Sequence, residues 1–147
     1  DKPEGVGVRP DGTLFVVTDN DGVDGSSGET IFTRLGKVWR LGANEATSFT
    51  TDVDLVIGGA TVPKGSYTLF AETTKGAWKL IVNKKTGEWG TEYDQTQDLV
   101  RIPLKESTLA SHVEALVIQL IPSNAGAKGE LRFAWGTLGH SVEWSAK

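Results

Sequence analysis

The sequence predicts an all-β fold, an antiparallel β-sandwich in which the N-terminal segment is integrated as strands. Three observations carry that expectation. Glycine takes 18 of the 147 positions, about 12% against a usual ~7%, among frequent Thr, Val and Ser. Apolar residues come in short runs bounded by turn-forming residues, the mark of strands and hairpins. No stretch keeps a helical apolar period, so two packed sheets are the simplest way to bury the apolar faces.

In chain order, strands are expected at residues 5–9, 13–18, 29–34, 38–41, 47–51, 53–57, 66–72, 77–83, 99–104, 114–121, 129–135 and 139–144. Leu14-Phe15-Val16-Val17 is wholly apolar and needs partners on both sides, so the first strands are expected to pair with the sandwich. In Val62-Pro63-Lys64-Gly65 proline presets φ and glycine takes the fourth position, as a type I turn prefers. The strand holding Trp78, Leu80 and Val82 runs into the one long polar loop, which continues to Asp98 and has room for a helical turn. Pro103 has no backbone donor, which makes residues 99–104 an edge or bulged strand. Residues 114–121 are apolar on both faces, as a central strand is, while Leu131, Phe133 and Trp135 alternate with Arg132 as a half-buried strand does.

Composition sets further bounds. A net charge of −4 with no basic block argues against a nucleic-acid partner, which needs clustered Lys and Arg. The longest apolar runs, such as 14–17 and 115–118, span four residues, so no membrane span is expected from a segment that would need ~20. With no cysteine, disulfides, thiol nucleophiles and Cys-ligated zinc drop out. A start at Asp1 without methionine is expected of a processed or trimmed chain. A length of 147 residues suits one domain with one core, residues 1–147.

Several residues are candidates for binding. Asp19, Asn20, Asp21 and Asp24 gather four oxygen-bearing side chains in six positions beside glycines, a composition that suits calcium. The EF-hand register fails there, with Val23 at the fifth position, Asp24 where glycine is required and Thr30 at the twelfth. A solvated turn is the alternative. Trp39, Arg40, Asn44 and Glu45 can line a pocket for a small polar ligand, with the indole as a flat wall. Alternatively they are structural: Gly42 adopts positive φ, Asn44 bonds its neighbouring backbone and Arg40 pairs with Glu45. Trp89, in a loop beside Tyr93, makes a stacking platform for a sugar or aromatic partner if exposed. His112 and His140 lie in no metal spacing, and no nucleophile elbow or phosphate loop occurs. No catalytic residues and no enzymatic activity are therefore expected.

Two resemblances extend this reading. Val38-Trp39-Arg40-Leu41-Gly42-Ala43-Asn44-Glu45-Ala46-Thr47, the 62–70 segment, Trp78 to Gly90, and Asp98 with Arg101 resemble a bacterial family of secreted domains of unknown function with a W-R-x-G-A-N-E-A-T signature. That resemblance, covering residues 37–147, implies a periplasmic or secreted β-sandwich with no established reaction, and an envelope partner or small polar ligand. Residues 1–36, with Lys2-Pro3-Glu4-Gly5, Pro10-Asp11-Gly12 and Glu29-Thr30, resemble the closing segment of phytase-like, esterase-like β-propellers. The whole then looks like a chimera joined near Gly36. The propeller resemblance implies an alternative function, a calcium-dependent phosphoesterase-like fragment, but one blade lacks the partners that build a propeller pocket. A recombined or constructed chain without evolved activity is a third reading.

A cation at residues 19–24 has a direct test. Calcium that binds only the folded chain raises its melting temperature relative to EDTA. Identical melts assign that segment to turn formation.

Overall fold

Alternation in the strands sorts side chains onto two faces, and the inward faces of two antiparallel sheets share one apolar core. Leu69, Ala71, Leu80, Val82 and Ile102 from one sheet meet Ile57, Val62, Leu116, Ile118, Leu131 and Phe133 from the other. A computed structural model describes residues 38–42, 45–74, 77–87 and 92–147, together with the backbone of 5–8 and 14–17. The expected strand at 29–34 and the candidate cation ligands Asp19, Asn20, Asp21 and Asp24 lie outside the described residues.

The strands are β1 (Gly5–Val8), β2 (Leu14–Val17), β3 (Val38–Trp39), β4 (Thr47–Thr51), β5 (Leu55–Ile57), β6 (Ala60–Val62), β7 (Gly65–Glu72), β8 (Lys79–Asn83), β9 (Asp98–Pro103), β10 (Lys105–Pro122) and β11 (Lys128–Ala146). Sheet A has the order β1-β2-β10-β11-β5-β6, and sheet B the order β3-β7-β8-β9 with β4 also on β7. The apolar run Leu14–Val17 pairs with β1 on one side and β10 on the other, as its sequence requires. Pro103 closes β9, the edge strand of sheet B, and residues 114–121 lie within β10, between β2 and β11. A short 3-10 turn, Gln95–Gln97, sits in the long loop. Its N-cap Asp94 accepts hydrogen bonds from the backbone N–H and hydroxyl of Thr96, at 2.9 and 2.6 Å, and these hold its carboxyl below the usual range.

Three features differ from expectation. Residues 129–135 and 139–144, expected as separate strands, belong to the single 19-residue β11. A straight strand of that length would separate its ends by roughly 60 Å, yet the Ala146 N–H donates to the Ala127 carbonyl at 2.7 Å. The strand therefore doubles back, with Gly136 at φ 61° near its middle and register shifts between Thr108, Val113 and Val117 on β10. The stretch preceding residue 114 also extends the ladder, although residues 105–108 are exposed; its polar composition carries no alternation because it buries neither face. Finally, β6 is a strand that the apolar pattern did not mark, paired to β5 through Gly58 and Gly59 at φ 54° and 85°. Two positive φ angles match the type I′ hairpin twist.

Gly58 also fixes how closely that hairpin packs. A Cβ there would run into Ile102 and lie 2.9 Å from Val142 Cγ2, whereas at Gly59 it would meet nothing within 4 Å. Gly58→Ala is expected to destabilise the chain by about 2–4 kcal/mol, through left-handed strain plus overpacking, and Gly59→Ala by about 1 kcal/mol, through strain alone. Urea unfolding of the two variants measures the difference.

Candidate functional site

Sheet B carries a second, smaller apolar cluster on its outward face. Phe70 and Ile81 point away from the main core and are covered by Ala46, with Val38 and Tyr93 at the margin. Leu80, Ile81 and Val82 are all fully buried, so β8 needs cover on both sides. Two segments meet there: the turn from β3 to β4, and the loop that holds Tyr93.

The first segment follows from strand register. Trp39 pairs with Ala71 and Thr47 with Leu69, so residues 40–46 form an excursion where β7 spends only Phe70. Its neck is closed by the Thr47 N–H donating to the Arg40 carbonyl at 3.3 Å. Thr47 Oγ1 donates to the Leu41 carbonyl, and Arg40 Nε to the Gly42 carbonyl at 3.2 Å. The left-handed residue is Leu41, at φ 51°, not the expected Gly42. Gly42 is needed instead for close approach, since a Cβ would stand 2.8 Å from the Glu45 carbonyl.

The second segment fixes Tyr93 at its polar end. Its hydroxyl donates to Asp98 Oδ2 at 2.6 Å and accepts from Arg101 Nη2 at 2.7 Å, while its ring meets Phe70 edge-on at 5.0 Å between centroids. Arg101 Nε also donates to Asp98 Oδ2 at 2.9 Å, and Nη1 reaches Glu72 Oε2 at 3.3 Å. Lys79 approaches the same Glu72 oxygen at 3.5 Å. Asn83 Nδ2 donates to Asp98 Oδ1 and to the Asp94 carbonyl, both at 2.9 Å. Burial, reinforced by the hydrogen bond to Asp98, pushes the Tyr93 hydroxyl well above the ordinary phenol range, so it stays a proton donor. The frame is mutually satisfied and holds the Tyr93 ring in place while leaving it partly exposed.

The candidate residues divide accordingly. Tyr93 stands on this outer face. Trp39 turns into the main core, 5% exposed, stacked on Trp135 at 5.5 Å and edge-on to Trp78 at 6.4 Å. Arg40 is buried and Glu45 exposed, and among the described residues the two form no ion pair. Asn44 and Trp89 lie outside the described residues. Phe70, Asn83, Asp98 and Arg101 stand in the family-like segments quoted above, but their meeting around Tyr93, with Glu72 and Lys79, was not marked by sequence. The members of this frame come from β7, β8, β9 and the loop, up to 29 positions apart, and only the bulge between Val82 and Asn83 brings Asn83 opposite Asp98.

Two other places hold polar groups. A groove of about 1250 Å³ on the outward side of sheet A is lined by Lys105, Lys128, Glu130, Arg132, Ser141 and Glu143, among others. Glu130 accepts from Arg132 Nη2 at 2.9 Å, and a hydrogen bond from Ser141, with Arg132 adding to it, holds its carboxyl below the usual range. At one end of the aromatic column, His140 stacks on Trp78 at 4.0 Å and its Nε2 lies 3.2 Å from Glu106 Oε2.

The architecture is thus a two-sheet β-sandwich with a polar-framed aromatic on one outer face. Residues 25–144 match a family described as a protein of unknown function, DUF2911, and the chain belongs to that family. The match takes in residues 25–36, which the sequence reading assigned to the propeller-like segment. No curated protein and no solved structure matches the chain.

His140 gives this core a pH dependence. Burial pushes its imidazole below the ordinary value of 6.5, against the pull of Glu106. The folded chain then binds fewer protons than the unfolded one at this position, so stability rises with pH. The contribution is complete above about pH 6.5 and is lost as pH falls through the lower folded-state value. Melting temperature should therefore drop on acidification through this window, and His140→Phe, which keeps a ring against Trp78, should flatten that part of the profile.

Proposed function

We propose that the chain is a non-catalytic module of the periplasm or cell exterior that takes a small polar ligand, of the sugar class, on the outer face of sheet B. The observation that carries this reading is the Tyr93 ring, fixed by Asp98, Arg101 and Phe70 yet partly exposed. A preoriented ring loses little entropy when a ligand stacks on it, and the polar groups beside it supply directional bonds. Export is supported by the resemblance of the Trp39–Thr47 segment to secreted domains, and the absence of an assigned reaction is in keeping with DUF2911 being described as of unknown function.

Titration of the ¹⁵N-labelled chain with glucose and N-acetylglucosamine tests the site. Amide shifts are expected around Ala46, Phe70 and Tyr93. Tyr93→Ala should weaken binding at least about tenfold, the loss of roughly 1.4 kcal/mol of stacking, with the fold checked by circular dichroism. Shifts that map elsewhere, no shifts at all, or an unchanged affinity in Tyr93→Ala overturn the reading.

A further inference from the structure

We propose that the groove on the outward side of sheet A binds an acidic glycan, a chain of sugar units that carry carboxylates, of the uronate class. Its size suits a ligand longer than one small molecule. At about 1250 Å³ it exceeds the roughly 300–1,000 Å³ of pockets that enclose a single drug-sized ligand. The strand β11 lines it from both sides of its bend, with Lys128 and Arg132 before Gly136 and Ser141 and Trp144 after it, and β10 adds Lys105.

The charge of the lining is opposite to that of the chain. Lys105, Lys128 and Arg132 stand there against Glu130 and Glu143, an excess of cations in a protein of net charge −4. Glu130 is engaged within the groove. It accepts from Arg132 Nη2 at 2.9 Å, and a hydrogen bond from Ser141, then Arg132 and the charge of Lys105, hold its carboxyl below the usual range. Lys105 and Lys128 are exposed, so their ammonium groups can meet a carboxylate at the surface. An excess of one sign along a cleft draws in ligands of the other.

The chemistry of the walls is that of side chains, because the lining strands spend their ladder bonds on one another. Lys105 pairs with Ser141, Ile121 with Glu130 and Trp144 with Ile57, and the Gly58 N–H donates to the Glu143 carbonyl at 2.8 Å. An extended peptide is captured by adding its backbone to a sheet edge, whereas a glycan offers hydroxyls and apolar ring faces to side chains. Ser107, Ser123, Ser141 and Ser145 supply hydroxyls that both donate and accept, and the Trp144 indole supplies a flat apolar surface. Gly129 gives that indole its place, since a Cβ there would stand 2.9 Å from Trp144 Cζ2. The groove belongs to the other sheet from Tyr93 and stands whether or not a ligand binds there.

The test titrates the whole ¹⁵N-labelled chain with tetragalacturonate, and with maltotetraose as a neutral chain of equal length. Tetragalacturonate should shift the amides of Lys105, Lys128 and Ser141 and the Trp144 indole resonance, bind at least about tenfold more tightly than maltotetraose, and weaken as salt is added. Lys105→Ser combined with Lys128→Ser should lower its affinity at least about tenfold, with an unchanged melting temperature because both side chains are exposed. An unaltered affinity in that double variant overturns the proposal, as do shifts that map elsewhere, no shifts at all, or equal binding of the two sugars. Tetraglutamate that binds the same residues as tightly as tetragalacturonate also overturns it and makes the groove a site for acidic peptides. If the double variant does not fold, the comparison of the two sugars and the salt dependence in wild type decide. Tyr93→Ala should leave the tetragalacturonate response intact, so failure at Tyr93 and failure in the groove are distinguishable.

Discussion

The ladder between β10 and β11 is the interaction on which the rest of the sandwich depends. It supplies the middle of sheet A, with β2 hydrogen-bonded to one strand and β5 to the other. A ladder that changes direction has to give up registry at the bend, and this one does so between Thr108 and Val117, opposite Gly136. The local loss is offset at the ends: once β11 has doubled back, Ala146 reaches Ala127 and Lys147 reaches the Asp54 carbonyl at 2.9 Å. On both sides of the bend β11 buries side chains in the one core, Leu131 and Phe133 before it and Val142 after it.

Sheet B answers a different constraint. Its central strand is buried on both faces, and the main core covers only one. The 40–46 excursion and the Tyr93 loop supply the second cover, and both need polar groups to terminate them at a surface. This is why the chemistry of the molecule concentrates there: a lid thin enough to leave Tyr93 partly exposed must be pinned by ion pairs and capped turns rather than by bulk packing. Trp39 and Arg40, adjacent in sequence, illustrate the division. One closes the aromatic column of the core, and the other is held by an excursion that has no counterpart on the neighbouring strand.

Sequence made the longer strands with a buried face legible, because alternation and apolar runs report burial directly. It also fixed Pro103 at an edge and residues 114–121 in a sheet interior, since a missing donor and a two-faced apolar run each have one comfortable position. The start of β10 was illegible because Lys105, Glu106, Ser107 and Thr108 bury neither face. The β5–β6 hairpin was passed over although Gly58-Gly59 between Ile57 and Ala60 is a two-residue turn signal; its strands are only three residues long. At the candidate site, Tyr93 and Arg40 stood out by type, but whether Arg40 meets an acid is a three-dimensional fact. The expected pairing with Glu45 was chemically sound and is not made: Arg40 is buried, whereas Glu45 stands exposed.

The order of strands along the chain has a bearing on biogenesis. Sheet B is assembled entirely from residues 38–103, which leave the ribosome before β10 and β11, the two central strands of sheet A. Sheet A instead joins β2 and β5 to strands that end at Pro122 and Ala146, contacts of long sequence separation that form late. Until β11 emerges, the inward face of sheet B stands open, with Leu80, Val82 and Ile102 presented to whatever is nearby. Strand order thus makes the closing of the sandwich the last event of synthesis, since the apolar face of sheet B has its full cover only when β11 is complete.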